Sequence, residues 1–165
     1  MSLTLYDISV PLFIKNLKSL SKFLAKGQAH FEKDESKIVH ARLVEDMGDL
    51  IFQIHRISDS AKGLAVRVGG AEDVVFENNE TDFAGIYTRI NRVTEILESL
   101  PSTCTDGKDD TEVVMKVGPN ELKFTAKQFV LDFAIPNFFF HVVTAYNILR
   151  KEGVPVGKGD FLGRT

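Results

Sequence analysis

TDFAGIYTRINRVTEILESLP, residues 81–101, is the stretch on which the fold turns. Phe83, Ile86, Ile90, Val93, Leu97 and Leu100 recur at steps of 3, 4, 3, 4 and 3, which lines them along one face of a helix. Thr81, with Asp82 beside it, supplies the N-cap, and Pro101 ends the run. A seam of this length hides its apolar face against other helices, so the segment reads as one member of a bundle.

The flanking sequence supplies partners for that seam. Residues 8–26 place Val10, Phe13, Leu17, Leu20 and Leu24 on one stripe, with Lys15, Lys18 and Lys22 facing water. Pro11 fits the opening turn of this helix, which makes Ser9 or Asp7 the expected cap. Residues 41–68 form a second helix, with Leu43, Met47, Leu50, Ile51, Ile54, Ile57 and Ala65 in one arc. Ser58 and Ala61 are small enough for a neighbouring helix to approach closely, and Gly69-Gly70 stops the helix. An acidic loop over 71–80 carries Val74-Val75-Phe76 as an extended strip against the bundle.

After a polar loop over 102–111, residues 112–117 and 121–125 alternate as two short strands around Gly118-Pro119-Asn120, a β-hairpin that must pack on the helices. Thr125 with Gln128 is a capping-box pattern that opens the last long helix, which runs to Arg150 or Lys151. Pro136 inside it predicts a kink or break near Ile135. The glycine-rich tail, 154–165, reads as an extended arm. The expected architecture is all-α, a single helical-bundle domain over 1–165 with a small hairpin before the last helix.

Composition narrows the function classes. The chain has 165 residues, 44% apolar, and 20 basic against 23 acidic side chains give a net charge of −3. Mild acidity with interspersed signs excludes binding nucleic acid through a clustered basic surface. The longest apolar stretch, 129–143, is interrupted by Asp132, Pro136, Asn137 and His141, so no membrane span is expected. The lone Cys104 cannot form an internal disulfide, and the N-terminus lacks a basic flank leading into an apolar run. A cytoplasmic location follows as an expectation.

Chemistry-bearing residues gather in PNFFFHVVTAY, residues 136–146. Phe138, Val142, Ala145 and Leu149 form the centre of the apolar face, and His141 borders it with Asn137 one turn before and Ala145 one turn after. Asn137 could orient the imidazole. His141 is the candidate for proton transfer or for ligating a metal; otherwise it is a boundary histidine with satisfied nitrogens. Tyr146 lies on the opposite flank and reads as a core aromatic. His55, with Asp59 one turn on, could converge with His141 across the bundle or stand at the helix boundary. Asp132 and Asp46 are the carboxylates expected to face inward. His30 and His40 read as surface residues, Cys104 as a bystander thiol, and Gly157-Lys-Gly-Asp160 lacks the flanking strand and helix of a phosphate loop.

FAIPNFFFHVVTAYNILR (133–150), GVPVGKGDFLG (153–163), YDISVP (6–11) and DSAKG (59–63) resemble a family known as a domain of unknown function and grouped with the DinB/YfiT-like bundles. The resemblance implies an up-down-down-up four-helix bundle, often a homodimer. It also implies a divalent-metal site of three histidines, one on the second helix and two as HxxxH on the last. Here that last pattern is His141-x-x-x-Ala145, so the triad is incomplete. The expectation is therefore a small-molecule pocket lined by Phe138, His141, Ala145, His55 and Asp132, with no cofactor. The alternatives are a divalent-metal enzyme using His55 and His141, and a non-enzymatic homodimeric interaction module.

Overall fold

The structure, a computed structural model, describes residues 3–164; Met1, Ser2 and Thr165, the last residue of the tail, lie outside the described residues. It is mostly helical, with one two-stranded antiparallel hairpin. The first helix, α1 (Leu5–His30), starts earlier than its apolar stripe suggests. Thr4 caps it in a reciprocal pair: the Asp7 amide donates to Thr4 Oγ1 at 3.1 Å, and the Thr4 amide donates to Asp7 Oδ2 at 2.9 Å. The Thr4 amide, and then the Thr4 hydroxyl donating to the same Oδ2 at 2.8 Å, hold the Asp7 carboxyl below its ordinary range. Ser9, one of the expected caps, is buried inside the helix and donates to the Leu5 carbonyl. Pro11 accordingly sits within the helix rather than in its opening turn.

The helix expected over 41–68 is shorter. A single turn, α2 (Glu35–Val39), buries Ile38 and Val39, and residues 41–49 form turns before α3 (Leu50–Arg67) begins. Asp49 makes the difference: its Oδ1 accepts from the Phe52 amide at 2.9 Å, which starts a new helix at that point. Gly70, at φ +79°, takes the chain out of the α3 terminus. In α4 (Phe83–Glu98) the cap is Asp82 rather than Thr81, with Oδ1 accepting from the Gly85 amide at 2.8 Å. Phe83, Ile86, Ile90, Val93, Leu97 and Leu100 are all buried, as their spacing requires.

Strands β1 (Glu112–Val117) and β2 (Asn120–Thr125) pair with Val113 opposite Phe124 and Met115 opposite Leu122. Val113 and Met115 are buried on the helices, whereas Val117 and Leu122 stay exposed at the hairpin's free end. Thr125 then caps the last helix through the expected box with Gln128. That helix is continuous: α5 (Ala126–Gln128) passes into a π segment (Phe129–Ala134) and then α6 (Ile135–Lys151). Pro136 has no N–H to offer the preceding turn, and the wider π turn ahead of it absorbs the misfit, so the helix is widened rather than broken. By length and composition, residues 126–151 are long and apolar enough to cross a bilayer, because the phenylalanines and valines outweigh Asn137 and His141. In this fold the same segment packs on α1 and α3, with Phe138, Val142, Ala145, Ile148 and Leu149 buried.

The long helices α1, α3, α4 and α6 enclose the core, α3 lying against α4 and α6, and α1 against the same two. Pairs across the α3–α6 seam run antiparallel: Gln53 meets His141 and Ser60 meets Asn137. The tail is not an extended arm. It forms a short helix, α7 (Lys158–Phe161), pinned to α1 by the Lys26–Asp160 ion pair and to α6 by an edge contact of Phe161 on Tyr146. At the centre, Phe13 and Phe138 stack with centroids 4.0 Å apart and planes 10° from parallel, both fully buried. Truncating Phe138→Ala should lower the unfolding free energy by about 3–5 kcal/mol in urea titration, the usual cost of deleting a core aromatic; a loss under about 1 kcal/mol would show that this stack does not anchor α6.

Candidate functional site

His141 sits half-buried on α6, and its environment fixes both its charge and its tautomer. Gln53 on α3 donates through Nε2 to the Gly48 carbonyl at 2.8 Å, which turns its Oε1 toward His141 Nδ1, also at 2.8 Å. An amide oxygen only accepts, so Nδ1 carries the proton, and Nε2 of the neutral ring is left as an acceptor with no partner among the described residues. Burial and then the charge of Arg56 push the His141 pKa down from 6.5 to about 4. An imidazole so reluctant to hold a proton is a poor general base at neutral pH but a good hydrogen-bond acceptor. The expected proton-transfer role is therefore the weaker of its two uses. Asn137 does not orient the ring as expected; its Nδ2 donates instead to Ser60 Oγ at 2.6 Å. The rings of Phe52 and Phe140, both partly exposed, stand edge-on to the imidazole.

His55 belongs to a different cluster. Its Nε2 meets Glu80 Oε2 at 2.7 Å, and Asp59, the partner expected for it, bonds Arg56 and Arg89 instead. Burial, with Arg89 adding to it, lowers the His55 pKa against the pull of Glu80, so the contact is a neutral imidazole donating to a carboxylate. Burial would raise Glu80, but bonds from its own backbone, Arg89 and His55 outweigh it and hold the carboxyl low. Arg89 is the hub: its side chain is 2% exposed and reaches Ser58 Oγ, the Glu77 carbonyl, Glu80 and Asp59. Phe76 of the 71–80 loop lies under the cations of Arg89, Arg92 and Lys62, which straps the acidic loop to α3 and α4. Ser58 is thus small for a reason the sequence did not show: it makes room for a guanidinium as well as for a helix.

Gln53 and His55 lie about 200° apart around α3. His141 on the Gln53 side and Glu80 on the His55 side therefore separate the two histidines. The three-histidine metal set implied by the resemblance does not fit these residues. Ala145 is a fully buried methyl group, His55 Nε2 is engaged by Glu80, and no group of three or more His, Cys, Asp or Glu among the described residues is gathered for an ion. Asp132 and Asp46, expected to face inward, are exposed. Phe129, Val130 and Ala134 take the inward face of the π segment, which leaves Asp132 on the opposite side of the helix, toward water. Phe138 and Ala145 are packed core. Burial raises the Cys104 thiol, which suits a bystander and not a thiolate nucleophile.

A cleft of about 410 Å³ opens one turn from His141, between α3, the π segment and β1. Arg56, Asp59, Ser60 and Gly63 form one wall, and Phe129, Phe133 and Asn137 the other. Two stretches that carry the family resemblance, 59–63 and 133–150, thus face each other across it. Arg67, Met115 and Lys116 close the far end. A larger hollow of about 510 Å³ lies over α4 and the 75–82 loop, but its Arg89 is already saturated by the buried cluster. Arg67 and Lys116 carried no motif signal in the sequence; the end of α3 brings Arg67 here, and the docking of the hairpin brings Met115 and Lys116.

A crystal structure of a DinB family member protein from Shewanella denitrificans matches with a TM-score of 0.83 and 34% identity, covering 98% of this chain and 93% of that one. The fold is thus that of the DinB-like helical proteins. The chain belongs to the family described as Domain of unknown function (DUF1993), whose match spans residues 5–162. A search of curated proteins found no match.

Two outcomes follow from these clusters. Replacing Arg89→Met strands the buried Glu80 carboxylate and should cost about 3–5 kcal/mol by chemical denaturation; a loss below about 1 kcal/mol would mean the cluster is not a structural hub. For His141 the folded pKa lies below the unfolded one, so the unfolded chain binds more protons between about pH 4 and 6.5. Stability should fall as pH drops through that window, by about 1–2 kcal/mol once solvent reaching the half-buried ring is allowed for. The pH slope of the unfolding free energy should be shallower in His141→Gln; an unchanged slope would contradict a buried neutral ring.

Proposed function

We propose that this protein is an up-down-down-up four-helix bundle that binds a small molecule in the α3–α6 cleft, with His141 as a fixed hydrogen-bond acceptor at its margin. The observation that supports it most is the held tautomer: Gln53, anchored on Gly48, leaves His141 Nε2 bare one turn along α6 from Asn137, which walls the cleft with Arg56. A pre-set acceptor next to apolar walls and a few placed polar groups is the usual make-up of a ligand site. With its pKa near 4, His141 receives a hydrogen bond from a ligand hydroxyl or amide and does not take the proton.

The reading locates binding one turn toward the hairpin from the place the sequence suggested. Phe138 and Ala145 contribute by holding α6 in position, and His55 by holding the α4 side of α3. A thermal-shift screen of a metabolite collection tests it. A true ligand at about a hundredfold over its Kd should raise Tm by about 5–10 °C. The shift should be lost in Asn137→Ala and reduced in His141→Ala, both of which should still fold. No saturable shift from any compound, or a shift indifferent to both substitutions, would overturn the proposal.

A further inference from the structure

The charge balance of the same cleft goes further than its shape. Asp59, the only acidic residue lining it among the described residues, is shared by two guanidiniums, pairing with Arg56 Nη2 at 2.8 Å and Arg89 Nη2 at 3.0 Å. Arg67 and Lys116 line the cleft with no ion-pair partner among the described residues; Arg67 reaches Asp73 only at longer range. Arg56 keeps a buried Nε with no acceptor, donor capacity the fold itself leaves unused. Lys62 is different: its ammonium is held by Asp73 and the Val74 carbonyl, so only its stem faces the cleft.

Gly63 is the telling residue. A glycine in the middle of a helix is destabilising by about 1 kcal/mol relative to alanine, yet Gly63 lies inside α3. A methyl group there would stand 2.5 Å from Nη1 of Arg67. The missing side chain lets the Arg67 guanidinium fold back over the α3 backbone, on to the floor of the cleft, where it also lies over the Phe129 ring at 5.8 Å. Opposite, the half-buried Phe133 ring, backed by the buried Phe129 with centroids 5.7 Å apart, gives an apolar wall beside Met115.

We propose that the cleft binds a planar anion, an aromatic or similarly flat carboxylate, with its charge held by Arg67 and Lys116 and its ring against Phe133. The proposal rests on the cleft being the binding site, and it adds the class of ligand. Guanidinium groups pair with carboxylates through parallel N–H donors, and a flat body suits the aromatic wall. Asn137 and Ser60, bonded to each other, offer polar atoms midway along the groove.

The test uses 2-naphthoate, its neutral amide 2-naphthamide, and inorganic phosphate, titrated into the full chain at low salt while NMR follows the cleft residues. The naphthoate should shift Gly63, Arg67 and Asn137 resonances saturably. The amide should bind about tenfold more weakly, and phosphate, lacking the ring, more weakly than naphthoate. Gly63→Ala should raise Tm by a few degrees while weakening naphthoate about tenfold, a pairing of opposite effects that general destabilisation cannot produce. Arg67→Met, at an exposed position, should weaken it by a similar factor without loss of fold. An amide that binds as tightly as the acid would overturn the inference about charge and leave the cleft as a ligand site. Phosphate matching naphthoate would replace the planar ligand by a bare anion. Wild-type affinity in Gly63→Ala and Arg67→Met would remove Arg67 from the site, and cleft resonances unmoved by all three probes would sink both this inference and the cleft reading.

Discussion

The side-chain amide of Gln53 is the interaction on which the His141 end of the α3–α6 seam depends. It is 1% exposed and bonded at both ends, to the Gly48 carbonyl and to His141, so it ties the turn preceding α3 to the face of α6. A buried amide with one end unpaired would cost about 1–3 kcal/mol, which keeps both contacts formed together. The tautomer of His141 follows from that pair of hydrogen bonds, which also marks where α6 crosses α3 antiparallel. Further down the same seam, Asn137 Nδ2 donates to Ser60 Oγ at the near end of the cleft.

The opposite side of α3 is built on a different principle. There Arg89 gathers Ser58, Asp59, Glu80 and a backbone carbonyl into a buried charged cluster, and aromatic–cation contacts bring the 71–80 loop down on it. Charged groups buried this deeply persist because each has partners; their value is in fixing geometry rather than in adding net stability. One helix thus carries a neutral hydrogen-bonded seam on one flank and a charged clasp on the other. The two histidines that sequence spacing would join belong one to each flank. That division, with Ala145 filling a ligand position by a methyl group, is why the metal chemistry of the broader DinB resemblance does not carry over to these residues.

The helices were legible because burial imposes a period. The α4 seam, the α1 stripe and the Thr125–Gln128 box can be read directly, since each depends on residues within a turn or two of one another. Caps and interruptions were less so: Thr4, through its reciprocal bonds with Asp7, and Asp49, through one bond to the Phe52 amide, compete with equally plausible neighbours. Asp132 sits among Phe129, Val130, Leu131 and Phe133 in the sequence, and apolar neighbours along the chain do not say which way one side chain of a helix turns. The candidate site was half legible. His141 stood out as a polar residue on an apolar face, but its true partner, Gln53, lies 88 positions away. Gly63 reads in sequence as a weak point in a helix, and only the position of Arg67 gives it a purpose. Lys116 reaches the cleft through hairpin packing, which no local pattern encodes.

The most direct test of this account is the tautomer and titration of His141, read by long-range proton–nitrogen NMR on ¹⁵N-histidine-labelled protein, with His141→Gln assigning the signal. The account predicts a protonated Nδ1 and a bare Nε2 that stay unchanged from neutral pH down to about pH 5, with titration centred near 4. A ring protonated on Nε2, or one titrating near 6.5 like a histidine in water, would contradict it, because Gln53 would then not hold the ring and the cleft would have no fixed acceptor at its margin.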